Sequence, residues 1–265
     1  MTPALNVNKT PISEAEWQTR CDLAALYHVV NYLGWTDTIN THMSARVPDD
    51  PGTFLINRYG EMFEEITASS LIKIRLDGDM VGEPGKFDQD YYVGERGKFN
   101  RAGFAIHSSV YNARQDANCV MHTHTRAGAG VSLMAKGLRP ISQDVMEVID
   151  DVVYHHYGIP SSDDECEALG KSCAAGSCVV LLNHGLLTHG PTIHGALQRL
   201  YMLERACELE LIARQLDEPP VLMDDAVIAR AAHRMKTIRN TRNYGLLEWE
   251  GLVRTVERRG VDFRR

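Results

Sequence analysis

Residues 118–125 have the sequence NCVMHTHT, in which an apolar run ends in two histidines one residue apart. Successive side chains of a strand point to opposite faces, so residues two apart share a face. If 119–124 is extended, His122 and His124 project together, with their bases about 7 Å apart. Both imidazoles can then reach one cation. The stretch therefore predicts a strand that ends in metal ligands; the alternative is a pair of buried histidines that only donate to carbonyl groups.

A third histidine would complete an open metal site of the catalytic type, and His184 is the best candidate. It follows the apolar run CVVLL and precedes Gly185, so it also lies at a strand end where the chain turns. Strand ends at one edge of a sheet are where α/β proteins place their sites. His155 and His156 are adjacent and face opposite ways if extended, so at most one can join. Two histidines beyond the turn are predicted to be surface or capping residues: His189 and His194.

The composition is that of a globular protein with a sizeable core. The chain has 265 residues, of which 44% are apolar and 24% charged, enough for one large domain or two small ones. Its net charge of −7 argues against nucleic acid or an anionic membrane as a main partner. No segment approaches the roughly 18 unbroken apolar residues of a membrane span, and the N-terminus lacks the pattern of a secretory signal. Six cysteines without CxxC spacing predict reduced thiols and a cytoplasmic protein.

Helix and strand patterns are mixed along the chain without strict βαβ alternation. Ser13 and Glu16 form a capping box that predicts a helix to about Leu33. The stretch SLIKIRLDG alternates with period two and ends in a hairpin signal, GVSLMAKG predicts a short helix, and SCVVLLNHGLLTHG predicts an apolar strand that runs into a turn. Early strands form hairpins and later ones are separated by helices, so we expect one α/β domain over 1–265 with a mixed sheet and helices on both faces.

Residues 78–98 have scattered glycines and no clear period. A long irregular loop in a compact domain is often functional. Tyr91 and Tyr92 in this stretch are predicted to close over the site; the alternative is ordinary surface packing.

Several motifs, in order, resemble the class II aldolase/adducin family. They are GWTDTINTHMSARVP, FLINRYGEMFEEITASSLIKIRLDG, FAIHSSVYNARQDA, the HTH stretch, LLNHGLLTHG and the helix ALQRLYMLERACELELIA. The match covers roughly residues 14–215, and the tail over 216–265, an expected helical extension, looks like that of adducin-like bacterial members.

The resemblance implies a three-layer α/β/α domain with a mixed, largely antiparallel central sheet. It also implies a divalent metal on His122, His124 and His184, with zinc first and manganese, cobalt or iron as alternatives. A homo-oligomer, expected to be a tetramer, with sites between subunits follows from the same resemblance.

The chain departs from the sugar-phosphate aldolases of that family in one pocket. Their acid/base Glu falls on Gly103 when positions are counted back from His122, and their two phosphate-binding serines fall on Arg101 and Ala102. In the phosphate turn, His42 stands where they have Asn, although Ser44 and Arg46 persist. Tyr59 precedes Gly60 where they have Thr. A glycine cannot transfer a proton, so these departures argue against ordinary sugar-phosphate aldol chemistry.

The remaining site predicts a metal-dependent carbon–carbon lyase that acts on a small hydroxy- or oxo-carboxylate, a decarboxylase rather than an aldolase. Loss of CO2 needs charge stabilisation and a later proton donor, but no base to remove a C–H proton. His42 and Arg101 are the candidate catalytic residues, as proton donor or carboxylate clamp; a loop hydrogen bond and a surface charge are the alternatives. The candidate substrate-binding residues are Ser44, Arg46, Tyr59, Tyr91 and Tyr92.

Two other classes of function stay open. An Fe(II)-dependent oxygenase would use the same three histidines, and the native metal would tell it from a lyase. A non-catalytic interaction domain like the adducin head is the third possibility, which the three retained candidate ligands disfavour.

Overall fold

A computed structural model describes residues 12–81, 99–159 and 162–265. Its centre is one seven-stranded sheet of order β3-β2-β1-β4-β7-β6-β5. All neighbouring strands pair antiparallel except β5 and β6, which are parallel. The strands are β1 (His42–Val47), β2 (Asp50–Ile56), β3 (Ile72–Arg75), β4 (Cys119–Thr123), β5 (Val152–His155), β6 (Cys178–Leu181) and β7 (Gly185–Gly190). The predicted mixed, largely antiparallel sheet is confirmed.

Eight α-helices flank this sheet within the described ranges. They are α1 (Glu14–Tyr32), α2 (Arg101–Ala113), α3 (Arg126–Ser132), α4 (Gln143–Met146), α5 (Asp163–Ala175), α6 (Ile193–Ala213), α7 (Asp225–Arg239) and α8 (Leu246–Arg258). Side-chain caps fix several of their starts: Ser13 accepts the amide of Glu16 at 3.0 Å, as the predicted capping box requires. In the part of the chain that was described, no helix combines the length and the apolarity needed to cross a bilayer.

The apolar residues form two cores, one on each face of the sheet. Against one face, α1, α6 and α8 pack around Leu26, Met43 and Leu200. Against the other, α2 and α5 pack around Phe54, Val110 and Val179. This arrangement is the three-layer α/β/α architecture that was expected, and it follows from strands whose alternate residues are apolar on both faces.

The register of the central strands brings polar side chains to one edge. His42, the first residue of β1, pairs with His122 near the end of β4. Thr123 in turn pairs with Leu186 at the start of β7. The turn between β6 and β7, which carries His184, therefore lies beside the end of β4.

Two local predictions were wrong. The apolar stretch at 177–190 forms two strands, because the turn at 182–184 returns the chain directly to the sheet. His189 consequently lies inside β7, fully buried, with its Nε2 against the carbonyls of Cys173 and Gly176 at 3.1 and 3.3 Å. Helix α3 starts at Arg126 rather than near Gly130, directly after the HTHT stretch.

Candidate metal centre

Three imidazoles converge where β4 ends beside the β6–β7 turn. The Nε2 atom of His124 lies 2.9 Å from Nε2 of His122 and 2.9 Å from Nε2 of His184. One nitrogen from each ring lies within 4.8 Å of the other two, and this is the one such cluster of three metal-type ligands found in the described residues. His122 is buried, whereas His124 and His184 are half-buried. The structure thus brings together the three histidines proposed as ligands.

The backbone around His184 explains why this residue precedes a glycine. Asn183 adopts a left-handed conformation with φ of 61°, and its amide donates to the carbonyl of Ser132 at 3.0 Å. A Cβ atom on Gly185 would lie 2.4 Å from the carbonyl oxygen of Thr123. Only glycine permits this close approach of β7 to β4, and the approach places the imidazole of His184 against that of His124.

Hydrogen bonds at the far nitrogens fix the tautomers of two of these rings. Nδ1 of His122 lies 2.9 Å from the carbonyl oxygen of Leu186, and Nδ1 of His124 lies 2.9 Å from Oδ2 of Asp37. Both oxygens are acceptors, so both Nδ1 atoms carry the hydrogen. In the neutral rings Nε2 is then a bare lone pair. Two lone pairs that face each other at 2.9 Å repel unless a cation lies between them, so the residues fit a bound divalent metal.

Burial keeps the rings of His122 and His184 neutral. It holds the pKa of His122 well below its usual range, and the neighbouring histidines lower this pKa further. Burial, with His124 nearby, lowers the pKa of His184 to about 4. Neutral imidazole is the form that coordinates metal, so little proton competition is expected at neutral pH for these two ligands.

A second pair of histidines adjoins the cluster. The ring of His42 lies 5.1 Å from that of His122, centroid to centroid, and its Nδ1 is 2.7 Å from Nε2 of His107. His107, on α2, also contacts the Ser44 hydroxyl through its Nδ1. Burial is the first cause of the lowered pKa of His42 and of His107, whose pKa falls to about 3. His42 and His107 therefore adjoin the three-histidine cluster as uncharged rings.

The ring of His42 occupies the space above Gly103. A Cβ atom added to Gly103 would lie 2.8 Å from Cδ2 and 2.9 Å from Nε2 of that ring, closer than real side chains approach. The two departures from the aldolase pattern at 42 and 103 are thus physically linked, because any larger residue at 103 must move the His42 ring.

The other predicted site residues have different surroundings. Ser44 bonds the hydroxyl of Tyr111 at 2.8 Å in addition to His107. The buried Arg46 guanidinium donates to main-chain carbonyls, including Pro51 at 2.6 Å, and stacks on the Tyr111 ring, so it supports the sheet. Tyr59 is half-buried in the turn after β2, and Arg101 is the half-buried first residue of α2. Tyr91 and Tyr92 lie outside the described residues.

Sequence reasoning missed Asp37 and the role of His107. Asp37 lies five residues before His42 in an irregular stretch, and nothing in its spacing indicates contact with His124. His107 and Tyr111 are four residues apart in a helical pattern, which places them on one face. Their shared contact with Ser44 depends on the pairing of α2 with β1, which sequence spacing does not reveal.

At this edge of the mixed sheet, three imidazoles converge in the arrangement that divalent metals prefer. The family model for the class II aldolase and adducin N-terminal domain matches residues 21–211. The chain belongs to the class II aldolase/adducin family, whose aldolases depend on a divalent metal.

Known proteins from three organisms are similar to this chain. The crystal structure of an aldolase II superfamily protein from Pseudomonas syringae superposes with a TM-score of 0.85 at 40% identity, and covers 96% of this chain and 98% of that one. L-fuculose 1-phosphate aldolase from Glaciozyma antarctica gives 0.79 at 25% identity, with 98% of both chains covered. Alpha-adducin of Mus musculus is 39% identical over 198 residues, which are 72% of this chain but 25% of adducin.

Proposed function

We propose that this protein is a metal-dependent carbon–carbon lyase that acts on a small hydroxy- or oxo-carboxylate, and that it is a decarboxylase rather than a sugar-phosphate aldolase. The observation that carries the proposal is the contact between His42 and Gly103. The position where the aldolases have their acid/base Glu has no side chain, and the imidazole of His42 fills the space instead.

Decarboxylation suits a site without that carboxylate. The bond from the substrate carbon to its carboxyl group breaks, CO2 leaves, and the electron pair stays on the substrate until a proton replaces the lost group. No residue has to remove a C–H proton. A divalent ion bound by the three histidines would supply Lewis acidity, which draws negative charge onto substrate oxygens.

The residues of the chain then have separate tasks. His122, His124 and His184 hold the ion. His42, whose ring adjoins that of His122, faces the substrate oxygens as a hydrogen-bond or proton donor. Arg101 binds a carboxylate, as a guanidinium does well, and Tyr59, Tyr91 and Tyr92 contribute to the substrate pocket. Ser44 and Arg46 act through the protein groups that they contact.

Zinc is the ion proposed first, because three imidazoles with room for further ligands suit it; manganese, cobalt and iron are the alternatives. The protein is further proposed to be a homotetramer in which neighbouring subunits complete the sites.

The test is to assay zinc-loaded protein anaerobically against hydroxyaromatic, 2-hydroxy and 2-oxo carboxylates, with released CO2 and product measured together. We expect equal amounts of CO2 and decarboxylated product from at least one of them, and none from the His184→Ala variant. Aldehyde release from sugar phosphates instead would contradict the decarboxylase assignment. In a parallel aerobic assay of iron-loaded protein, turnover that consumes O2 would assign the oxygenase class.

The likeness to alpha-adducin favours a second candidate, a non-catalytic interaction domain. Binding of a ligand to the native state raises the midpoint of thermal unfolding. A chain that takes up no stoichiometric metal and shows no midpoint shift with any carboxylate of the panel would favour this candidate over the lyase.

A further inference from the structure

Four buried side chains form a continuous series of hydrogen bonds that ends beside the candidate metal centre. The hydroxyl of Tyr111 lies 2.8 Å from the hydroxyl of Ser44. Ser44 contacts Nδ1 of His107, and Nε2 of His107 lies 2.7 Å from Nδ1 of His42. Tyr111, Ser44 and His107 have no exposed surface, and His42 is 4% exposed. Nε2 of His42 ends this series and has no hydrogen-bond partner among the described residues.

The hydrogen of the Tyr111 hydroxyl sets the direction of these bonds. Burial raises the pKa of Tyr111, so the hydroxyl keeps its hydrogen. Among the described residues, the Ser44 oxygen is the one acceptor within its reach. A buried donor without an acceptor is costly, so Tyr111 donates to Ser44, and Ser44 must pass its own hydrogen to Nδ1 of His107.

The same assignment of donors and acceptors extends to the two imidazoles. His107 is neutral and accepts at Nδ1, so its hydrogen is on Nε2 and is donated to Nδ1 of His42. His42 is then also an acceptor at Nδ1, and the hydrogen of its own neutral ring is on Nε2. The opposite direction would leave the Tyr111 hydrogen with no acceptor in the described chain.

We propose that Tyr111, Ser44 and His107 are positioning residues that hold His42 as the Nε2–H tautomer, an uncharged hydrogen-bond donor beside the three-histidine centre rather than a fourth metal ligand. A nitrogen that bears a hydrogen cannot coordinate a metal. It can donate to an oxygen of a carboxylate or carbonyl group, and this ligand class rests on the proposed function. The tautomer itself rests only on the hydrogen-bonded chain.

The absence of a side chain at Gly103 supports this assignment, because it leaves room for the His42 ring. The absent Cβ of Gly103 is the reason that Nε2 of His42 can lie over the start of α2, 2.9 Å from where that Cβ would be. Phe54 stacks on the His107 ring, with an angle of 16° between their planes, and so restrains the ring that orients His42. Both contacts hold the donor nitrogen at the site edge.

The tautomers can be read from nitrogen spectra of metal-free protein labelled with 15N-histidine, in which protonated and bare ring nitrogens resonate apart. His42→Asn and His107→Gln variants assign the two rings. We expect hydrogen on Nε2 and none on Nδ1 for both. Hydrogen on Nδ1 of His42 would overturn the proposal. Metal-free protein is used so that the result is independent of whether the chain is a lyase.

A variant pair tests the positioning chain. Ser44→Ala removes the donor to His107 and is expected to shift the Nδ1 resonance of His107. Ser108→Ala is the matched control, because this buried serine on α2 bonds the carbonyl of Ala105 instead, and it should leave that resonance in place. If the Nδ1 resonance of His107 were unchanged in the Ser44 variant, the proposed series of hydrogen bonds would be wrong. If that variant does not fold, the wild-type spectrum still decides the direction.

Zinc affinity distinguishes whether His42 is a hydrogen-bond donor or a metal ligand. His42→Asn should change the affinity for zinc, measured by competition with a chelator, by no more than about threefold, whereas His124→Ala should abolish it. A loss in the His42 variant as large as in the His124 variant would make His42 a ligand and refute the proposal.

Discussion

Single contacts at the residue scale determine how well the three histidines are arranged. Asp37 fixes His124 by accepting its Nδ1 hydrogen at 2.9 Å. A carboxylate behind a ligand histidine orients the ring and makes its other nitrogen a better donor to metal. His122 has a carbonyl in the same role, which cannot be removed by mutation, so Asp37 is the side chain through which this effect can be tested.

Replacement of Asp37 by alanine should weaken metal binding by about 10–100-fold without unfolding the protein. The measurement is competition with a chelator followed by elemental analysis, with circular dichroism as the check of fold. Asp262→Ala, at an exposed position near the C-terminus, is the control and should bind as the wild type does. Equal affinity in the Asp37 variant would show that the contact does not tune the site.

Residue patterns predicted the convergence of the three histidines better than the contacts that hold them in place. His122 and His124 follow from strand alternation, and His184 from a strand end before glycine. The close packing of His42 on Gly103 was not predictable, because the two positions are 61 residues apart and meet only through the pairing of β1 with β4 and the docking of α2.

At the scale of elements, the segment that carries His124 is tied to α6. The hydroxyl of Thr125, the residue before α3, donates to Oε2 of Glu204 at 2.5 Å. Glu204 is 3% exposed, and burial raises the pKa of this carboxyl from 4.5 to about 7. The start of α3 and the middle of α6 are therefore joined through one buried acid that titrates near neutral pH.

This raised pKa predicts that the protein loses stability as pH rises. Below about pH 4.5 the carboxyl of Glu204 is protonated in both states and carries no penalty. Between 4.5 and 7 the folded state binds more protons than the unfolded state, so the free energy of unfolding falls with pH, by up to roughly 3 kcal/mol from this group. Above pH 7 the full penalty remains.

Glu204→Gln removes this titration. The free energy of unfolding of both proteins is measured with denaturant from pH 4 to 8. Relative to the wild type, the variant should become more stable between pH 4.5 and 7, and the difference should be constant above pH 7. Glu218→Gln, at an exposed position beyond the end of α6, is the control and should show no such change. A pH-independent difference for Glu204→Gln would contradict the buried-acid account.

Elements with a clear period were predicted well. The capped helix α1 and the alternating strand β3 lie where their patterns indicated. The β6–β7 hairpin was not resolved into two strands, since a continuous apolar run does not show where a buried strand reverses. The turn depends on the left-handed Asn183 and on the clearance at Gly185, which are tertiary demands.

At the scale of the whole molecule, the class of fold was predictable and the order of strands was not. Mixed patterns of strand and helix indicated an α/β sheet covered on both faces, and the family resemblance supplied the three-layer form. No local sequence pattern predicts that β4 lies between β1 and β7. This strand order is nevertheless what brings His42, His122 and His184 to one edge. Function in this chain is therefore a property of topology as much as of motifs.

The most direct test of the account is the metal content of the purified protein. Protein expressed with added zinc, manganese or iron and purified without chelators is analysed for metal per chain, with light scattering to follow assembly. We predict about one divalent ion per chain in the wild type, and almost none in His184→Ala, which remains folded and has the same size in solution. Metal-free wild-type protein, or a His184→Ala variant that retains its metal, would contradict the three-histidine centre.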